Sequence, residues 1–453
     1  MQLERLIGAL APTDVVGGSA LDIRELAYDA REVPRDSLFF CVPGERVDGH
    51  DFAPQAVEAG ADALVVERRL DLDVPQLVVP SVREAMPKAA VEFFADPTTE
   101  LQVAAITGTN GKTTTAYLLW SILAAAGRQP GLLTNIERRI GGEVREVGLN
   151  TPESIDLQRL FREMVDAGDR TCVMEATSMA SSKGRLDGTR FAVLVFTNLT
   201  QDHLDFHGAM EAYFESKRRL FAQADRAVVN VGDDYGERIA NELPDVVRFR
   251  PEDGLGDLPL KLAGRFNIEN ALAAAAAARA LGVDEETIRR GIDSVERVPG
   301  RFDLVEEGQA FTVLVDYAHT PGALEVALES ARELTRGRLI CVFGAGGDRD
   351  RDKRPLMGQV VLELADVALV TSDNPRSEDP AAIAADVVDG LDLDVELDRR
   401  AAIERALELA REGDVVVIAG KGHEQGQEVA GQKLPFDDRE VARETLRRLR
   451  TLA

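Results

Sequence analysis

Residues 106–119 read ITGTNGKTTTAYLL. An apolar run, Val103 to Ile106, meets Gly108, Gly111 and Lys112, then three threonines, then an apolar helical pattern. A strand that enters a glycine-rich turn and leaves as a helix is how a phosphate-cradling loop looks in sequence. Glycines let backbone N–H groups approach phosphate oxygens, and the helix N-terminus adds favourable partial charge. Lys112 can neutralise the β- and γ-phosphates, and Thr113 can hold Mg²⁺. The general pattern asks for Gly five residues before Gly111, where this chain has Ile106. The loop alone leaves open where the phosphoryl group goes: to water to drive motion, to a hydroxyl, or to a carboxylate to activate it.

Outward from the loop, the pattern predicts an α/β protein. DSLFFCV and ADALVVE flank a helical stretch before a break at residues 95–100, ADPTTE. TCVMEA, FAVLVFTN and RAVVNV follow, the kind of apolar runs a parallel sheet buried on both faces requires. NIENALAAAAAARALG is a strong helix with a glycine stop. FTVLVDY, RLICVFGAGG, VALVTSD and DVVVIAGKG then predict a second open sheet, with ligands at the strands' C-terminal ends. Three domains are expected: a small α/β N-terminal domain (1–97), a central P-loop domain with a parallel sheet (98–299) and a Rossmann-like C-terminal domain (300–453).

The 453 residues carry a net charge of −26, which argues against nucleic acid or an anionic membrane as the main partner. The three cysteines are far apart and have no zinc or redox spacing, so they read as core thiols. No apolar run approaches the ~20 residues of a membrane span, and the N-terminus does not read as a signal peptide, so the cytoplasm is expected. All five histidines, His50, His203, His207, His319 and His423, lie in polar turns rather than on apolar stripes. As a set they point to chemistry. Asp202, His203 and Asp205 follow one apolar strand and Glu175 ends another, so a carboxylate and an imidazole near the phosphate loop suit a Mg²⁺ site.

GTNGKTTT, NLTQDHLDFHGAMEAYFESKRRLF, NIENALAA, VPGRFD, VDYAHTP, VFGAGGDRDRDKRP, TSDNPRSEDP and AGKGHE occur in the order seen in the Mur ligase family. The first block, YDAREVPRDSLFFCVPGERVDGHDFAPQAVEAGADALVVE, is similar to that family's UDP-binding domain. The resemblance implies that the phosphoryl group goes to a carboxylate: the D-Glu side chain of UDP-MurNAc-L-Ala-D-Glu is activated by ATP, and an amine then attacks the acyl phosphate. It implies catalytic roles for Lys112, Glu175, His203 and Lys217, with Thr113, Glu175, His203 and a carbamylated Lys217 around Mg²⁺. It implies nucleotide binding by Gly108, Thr109, Asn110, Gly111, Lys112, Thr113, Thr114, Asn267, Asn270, Arg301, Asp316 and His319. UDP-sugar binding falls to Tyr28, Asp29, Ala30, Asp48, Gly49, His50, Asn150, Thr151, Thr177, Lys183 and Arg185. The incoming amino acid falls to Arg349, Asp373, Asn374, Pro375, Arg376, Gly420 and Glu424.

DNPR resembles the version of the motif that selects meso-diaminopimelate over L-lysine. The chemistry agrees, because an arginine fork pairs bidentately with the extra carboxylate and Glu424 can accept from the ammonium. The partners expected are therefore small molecules, with a monomeric enzyme and no membrane insertion. Four positions depart from the family pattern: Ala30 for Ser, Asn150 for Thr, Thr177 for Ser and Met179 for His. A paralogue with another carboxylate donor, or with L-lysine as acceptor, is the alternative. Folylpolyglutamate synthetase, a P-loop ATPase that moves a partner and a non-catalytic scaffold are the competing classes.

Overall fold

Short apolar strands buried on both faces set the architecture. The computed structural model describes residues 1–44 and 47–452, so Glu45 and Arg46 of the first-block motif lie outside the described residues. The chain packs as two compact units. The first comprises Met1–Thr107, Gly127–Val195 and Ser216–Ala227, and the second Gly108–Ala126, Phe196–Glu215 and Val228–Ala453.

In the first unit, β1 (Asp14–Val16), β2 (Glu25–Ala27), β3 (Ser37–Phe40), β4 (Ala61–Val66) and β5 (Gln76–Val78) form a sheet ordered β1-β5-β4-β3-β2. Only β1 runs antiparallel to its neighbour. Leu38, Phe40, Ala63 and Val65 point to one face, against Leu3, Leu6, Met86 and Ala89 of two helices. Phe39, Leu64 and Val66 point to the other, against Ala53 and Ala56. Both faces are covered, which is why these strands read as continuous apolar runs. Six further strands are β6 (Gln102–Thr107), β7 (Pro130–Leu133), β8 (Arg138–Ile140), β9 (Glu143–Arg145), β10 (Thr171–Glu175) and β11 (Phe191–Phe196), in the order β11-β6-β10-β7-β8-β9. β10 is parallel to both β6 and β7, so Ile106 and Glu175 are register partners at neighbouring strand ends.

In the second unit, β12 (Ala227–Asn230) pairs in parallel with β13 (Val247–Phe249). The phosphate-loop helix, Lys112–Ala125, packs on Phe266–Ala280 and Glu285–Asp293. Small residues permit the close approach: a Cβ on Gly291 would stand 2.4 Å from Ile122 Cα. The alanine run at 273–278 is buried in the same packing. A third sheet is built from β14 (Asp303–Leu304), β15 (Thr312–Asp316), β16 (Leu339–Phe343), β17 (Val367–Val370), β18 (Asp394–Val395) and β19 (Val415–Ala419), ordered β14-β15-β19-β16-β17-β18. All but β14 are parallel. A hairpin, β20 (Gly426–Val429) and β21 (Gln432–Pro435), follows. Asp316, Asp373 and Gly420 come at or just beyond C-terminal strand ends, the position the sheet rule assigns to ligands.

Cys41, Cys172 and Cys341 are buried thiols, as their spacing suggested. Burial pushes the Cys41 thiol up to about 12 and holds the other two well above their ordinary range.

Candidate active site

In the second unit, the phosphate loop is shaped by two glycines in the left-handed region. Gly108 has φ +142° and Gly111 φ +85°; a Cβ would lie 1.9 Å from Thr197 Oγ1 in the first case and 2.2 Å from Asn270 Oδ1 in the second. The loop is laced to residues 197–200. Thr109 N donates to Asn198 O (2.9 Å), Asn110 N to Asn198 Oδ1 (2.9 Å), and Thr197 Oγ1 to Asn110 O (2.6 Å). Lys112 Nζ donates to Gly108 O (2.9 Å) and Thr109 O (2.7 Å), so its ammonium lies across the turn.

Asn270 Nδ2 donates to Asn267 Oδ1 (2.9 Å), and Arg301 Nη2 donates to Thr113 Oγ1 (3.1 Å). Arg301 also stacks over Tyr317, 4.3 Å from the ring centroid. Asp316 accepts from Phe302 N (2.7 Å) and Ala318 N (2.8 Å); burial still raises its carboxyl above the ordinary range, against the pull of Arg301. The expected nucleotide residues Gly108, Thr109, Asn110, Gly111, Lys112, Thr113, Asn267, Asn270 and Arg301 thus form one connected neighbourhood, while Thr114 is buried in the helix's first turn. A cavity of about 590 Å³ opens beside them, lined by Lys261, Asn267, Arg297, Arg301 and Asp303 among others.

His203 caps a short helix with φ +54°, its Nε2 3.4 Å from Asp202 Oδ2. Burial would raise the Asp202 carboxyl, but the positive field of His203, His319 and Lys353 holds it below its usual range. His319 presents Nδ1 to Tyr317 O at 2.7 Å, and burial together with Lys353 lowers its pKa. Lys353 is 7% exposed and burial lowers its pKa too. The sequence reading missed it; the signal was its place in DKRP, at the start of the helix Lys353–Leu364.

In the first unit, Glu175 ends β10 and is buried. Its Oε1 accepts from Asn135 N (3.2 Å) and its Oε2 from Asn150 Nδ2 (3.3 Å), while Thr151 Oγ1 donates to its carbonyl (2.8 Å). Thr177 N donates to Thr151 Oγ1 (3.3 Å), and the Thr177 hydroxyl caps the helix Ser178–Ser182, directly before Lys183. Arg185 pairs with Glu153 (2.8 Å), which also holds Arg83 (2.8 Å). Asn150, Thr151 and Thr177 therefore gather around Glu175, and Arg185 Nη1 reaches the Thr151 carbonyl at 3.5 Å. Lys217 is 1% exposed near the end of the helix Met210–Arg218.

Tyr28 donates to Asp156 Oδ2 at 2.5 Å; burial and that bond raise its pKa well above the ordinary range. Asp29 pairs with Arg31, and Ala30 O accepts from Gln55. Gly49 is pressed against Val42, whose carbonyl oxygen would stand 2.5 Å from an added Cβ. His50 corrects the reading of the histidines as a chemical set. Its side chain is buried, Nδ1 meets Asp48 Oδ1 at 2.6 Å, and Nε2 accepts from Glu67 N at 2.9 Å. Both ring nitrogens serve the fold, and the only clue was the nearby Asp48.

The remaining candidates stand together in the second unit. Asn374 Nδ2 donates to Glu424 Oε2 (2.8 Å), and Lys421 Nζ donates to Asn374 Oδ1 (2.9 Å) and Glu424 Oε2 (3.1 Å). Gly420 is pinned by Asp373: a Cβ there would come within 2.3 Å of Asp373 Oδ2. The Pro375 carbonyl crowds Gly347 in the same way, at 1.9 Å. Arg376 takes φ +53° and donates through Nη1 to Gly347 O (2.6 Å). Arg349 is exposed and donates to its neighbour's carbonyl, Asp348 O, at 3.0 Å. Lys421, Arg354 and Arg399, all fully buried, went unread.

A glycine cradle closed by Asn270 and Thr197, with Lys112 across it, fits a nucleoside triphosphate. Among the described residues no group of three or more His, Cys, Asp or Glu side chains could hold a metal ion. Mg²⁺ needs no such cage, since it keeps waters and leans on one or two carboxylates plus substrate phosphates. In the second unit the Thr113 hydroxyl, at the start of the phosphate-loop helix, is an oxygen donor suited to an ion held in that way.

Comparison with known proteins gives the arrangement its context. Residues 22–106 match the Mur ligase family catalytic domain, 106–254 the Mur ligase middle domain, and 300–422 the Mur ligase glutamate ligase domain. The UDP-N-acetylmuramoyl-L-alanyl-D-glutamate–2,6-diaminopimelate ligase of Geobacillus kaustophilus is 44% identical over 485 residues, covering 98% of this chain and 99% of its own. The chain belongs to the Mur ligase family. A Mur ligase of the same name from Aquifex aeolicus is 41% identical, covering 94% of each chain. A solved structure of a ligase so named matches this Mur ligase with TM-score 0.66 and 30% identity over 97% of the chain and 98% of its own. The MurF ligase of Thermotoga maritima in complex with ADP, 20% identical with TM-score 0.62, shares the fold.

Proposed function

We propose that this Mur ligase joins meso-diaminopimelate to the D-Glu side-chain carboxylate of UDP-MurNAc-L-Ala-D-Glu, spending ATP, in peptidoglycan precursor synthesis. The observation that carries the reading is the near full-length likeness to ligases of that name, with the Asp373–Arg376 loop built against Gly420 and Glu424.

A carboxylate is a poor acyl donor and phosphate is a good leaving group. A carboxylate oxygen takes the γ-phosphoryl of ATP and ADP departs. The acceptor's amine nitrogen then attacks the acyl carbon, the C–O bond to phosphate breaks, and the nitrogen loses a proton as the amide forms. Most of the catalysis is positioning and charge stabilisation. The loop from Gly108 to Lys112 binds the phosphates, and Lys112 exchanges its two loop carbonyls for phosphate oxygens. Mg²⁺, when bound, neutralises charge on those phosphates. Lys217, buried, would carry a carbamate and supply negative oxygens for the metal, a role Glu175 and His203 would also serve. Asn267, Asn270, Arg301, Asp316 and His319 serve the nucleotide. Tyr28, Asn150, Thr151, Thr177, Lys183 and Arg185 face the UDP-sugar peptide, with Asp29, Ala30, Asp48 and Gly49 shaping that loop. Arg376 takes the distal carboxylate of the acceptor and Glu424 its ammonium, with Arg349 alongside.

Three functional domains, 1–97, 98–299 and 300–453, would bind donor, nucleotide and acceptor in turn. The enzyme would act as a cytoplasmic monomer on small molecules; no helix among the described residues is long and apolar enough to cross a membrane.

The test is an assay of phosphate release and product mass with MgATP, UDP-MurNAc-L-Ala-D-Glu and either meso-diaminopimelate or L-lysine. An amide formed with diaminopimelate alone is expected. An amide with L-lysine alone would reassign the acceptor. Neither amide, in a protein that still binds ATP, would mean that Ala30 and Met179 mark another donor.

A further inference from the structure

The guanidinium of Arg376 is only partly available. Nη1 is committed to Gly347 O at 2.6 Å. Nε lies 3.3 Å from Glu428 Oε2 in an ion pair. A carboxylate that binds arginine bidentately needs two adjacent N–H groups. With Nη1 turned to the protein, that edge is Nε with Nη2, and Glu428 stands at one end of it.

Glu428 reaches this place through its backbone. The hairpin β20–β21 pairs with Arg376 on both sides: Arg376 N donates to Glu428 O (2.9 Å) and Ala430 N to Arg376 O (2.7 Å). Glu428 N also donates to Asn374 Oδ1 (3.0 Å), and Gln427 Nε2 to Asp373 O (2.9 Å). These bonds hold Arg376 at φ +53°, a conformation that a non-glycine residue keeps only when its surroundings impose it. The Glu428 side chain itself takes no part in that lacing and is 49% exposed, against 21% for Arg376. It can swing into water at small cost.

We propose that Glu428 is a resident carboxylate on the acceptor-recognising arginine, displaced by the distal carboxylate of the incoming amino acid, and so sets how strongly that carboxylate must bind to be selected. This rests on the acceptor reading above. Glu428 is a specificity-determining residue, not a catalytic one. An amine without a distal carboxylate would leave the Arg376–Glu428 pair intact and gain nothing from the arginine.

The experiment is steady-state kinetics of the full-length enzyme and its Glu428→Gln variant, which keeps the side chain's size and the backbone pairing. Half-exposed ion pairs of this type are weak, so KM for meso-diaminopimelate should fall about two- to fivefold while KM for ATP stays put. In an Arg376→Ala background the same substitution should have no effect on KM for diaminopimelate, because its partner is gone. An unchanged or raised KM in the single variant would overturn the proposal. So would an equal drop in the Arg376→Ala background, which would place the effect in the hairpin rather than on the arginine. If the parent enzyme forms no amide with diaminopimelate, the acceptor reading fails first and the proposal falls with it.

Discussion

Arg399 and Asp438 form a bidentate ion pair, Nε to Oδ1 at 2.8 Å and Nη2 to Oδ2 at 2.7 Å, in which neither side chain reaches solvent. The same guanidinium donates to Ala419 O (2.9 Å) and Ser372 O (3.3 Å), the carbonyls just before Gly420 and Asp373. The helix Asp438–Leu452 is thereby tied to both strand ends that carry the proposed acceptor residues. Asp438→Asn leaves the arginine charge buried without its counter-charge. We expect a loss of about 3–5 kcal/mol in urea denaturation. Breaking the half-exposed Arg400–Glu444 pair should cost under about 1 kcal/mol in the same assay.

Gly111→Ala tests the cradle. The new methyl would need φ +85° and would press on Asn270 Oδ1. ATP affinity, read by titration with a fluorescent nucleotide, should drop by at least about tenfold, a loss of about 1.4 kcal/mol or more. Gly8→Ala, in an open stretch of helix, should leave ATP affinity alone and stabilise the fold by up to about 1 kcal/mol.

Much of this molecule was legible because its strands are apolar runs closed by chemistry. TCVME, FTVLVD and DVVVIAG each ran from strand to functional turn without interruption, and the structure places β10, β15 and β19 there. The glycines of the phosphate loop were legible for the same local reason: backbone must come close to phosphate. Long-range pairing was not. Nothing near Arg399 in sequence announces Asp438, and Arg354 finds Asp386 on another helix, and Glu378 in the loop before that helix, only through the fold. His50 sat in a polar turn, yet its ring is buried by the fold and both nitrogens are consumed there.

Lys217→Ala removes the group that would carry the carbamate. Activity should fall below detection in the phosphate-release assay and return in part with millimolar acetate or formate, which can place a negative oxygen in the emptied space. Full activity without additive would remove Lys217 from the mechanism.

Acid should unlock one part of the second unit in a defined way. Glu378 is held down to about 2 chiefly by its hydrogen bonds from buried Arg354, against an ordinary value of 4.5. A folded pKa below the unfolded one means the stabilisation is complete above pH ~4.5 and is lost as pH falls toward ~2. The stability gap between the parent protein and Glu378→Gln, measured by urea midpoint, should therefore be widest at pH 6 and should close progressively between pH 4.5 and 2.

The three cysteines are inside the fold with thiols held protonated at neutral pH, so the native chain offers no ready nucleophile to a maleimide. That makes the wild-type sequence its own labelling background. A single cysteine introduced at exposed Gln432, on the hairpin that carries Glu428, would take one dye at one known place, and its emission would report acceptor capture in real time without any prior removal of native thiols.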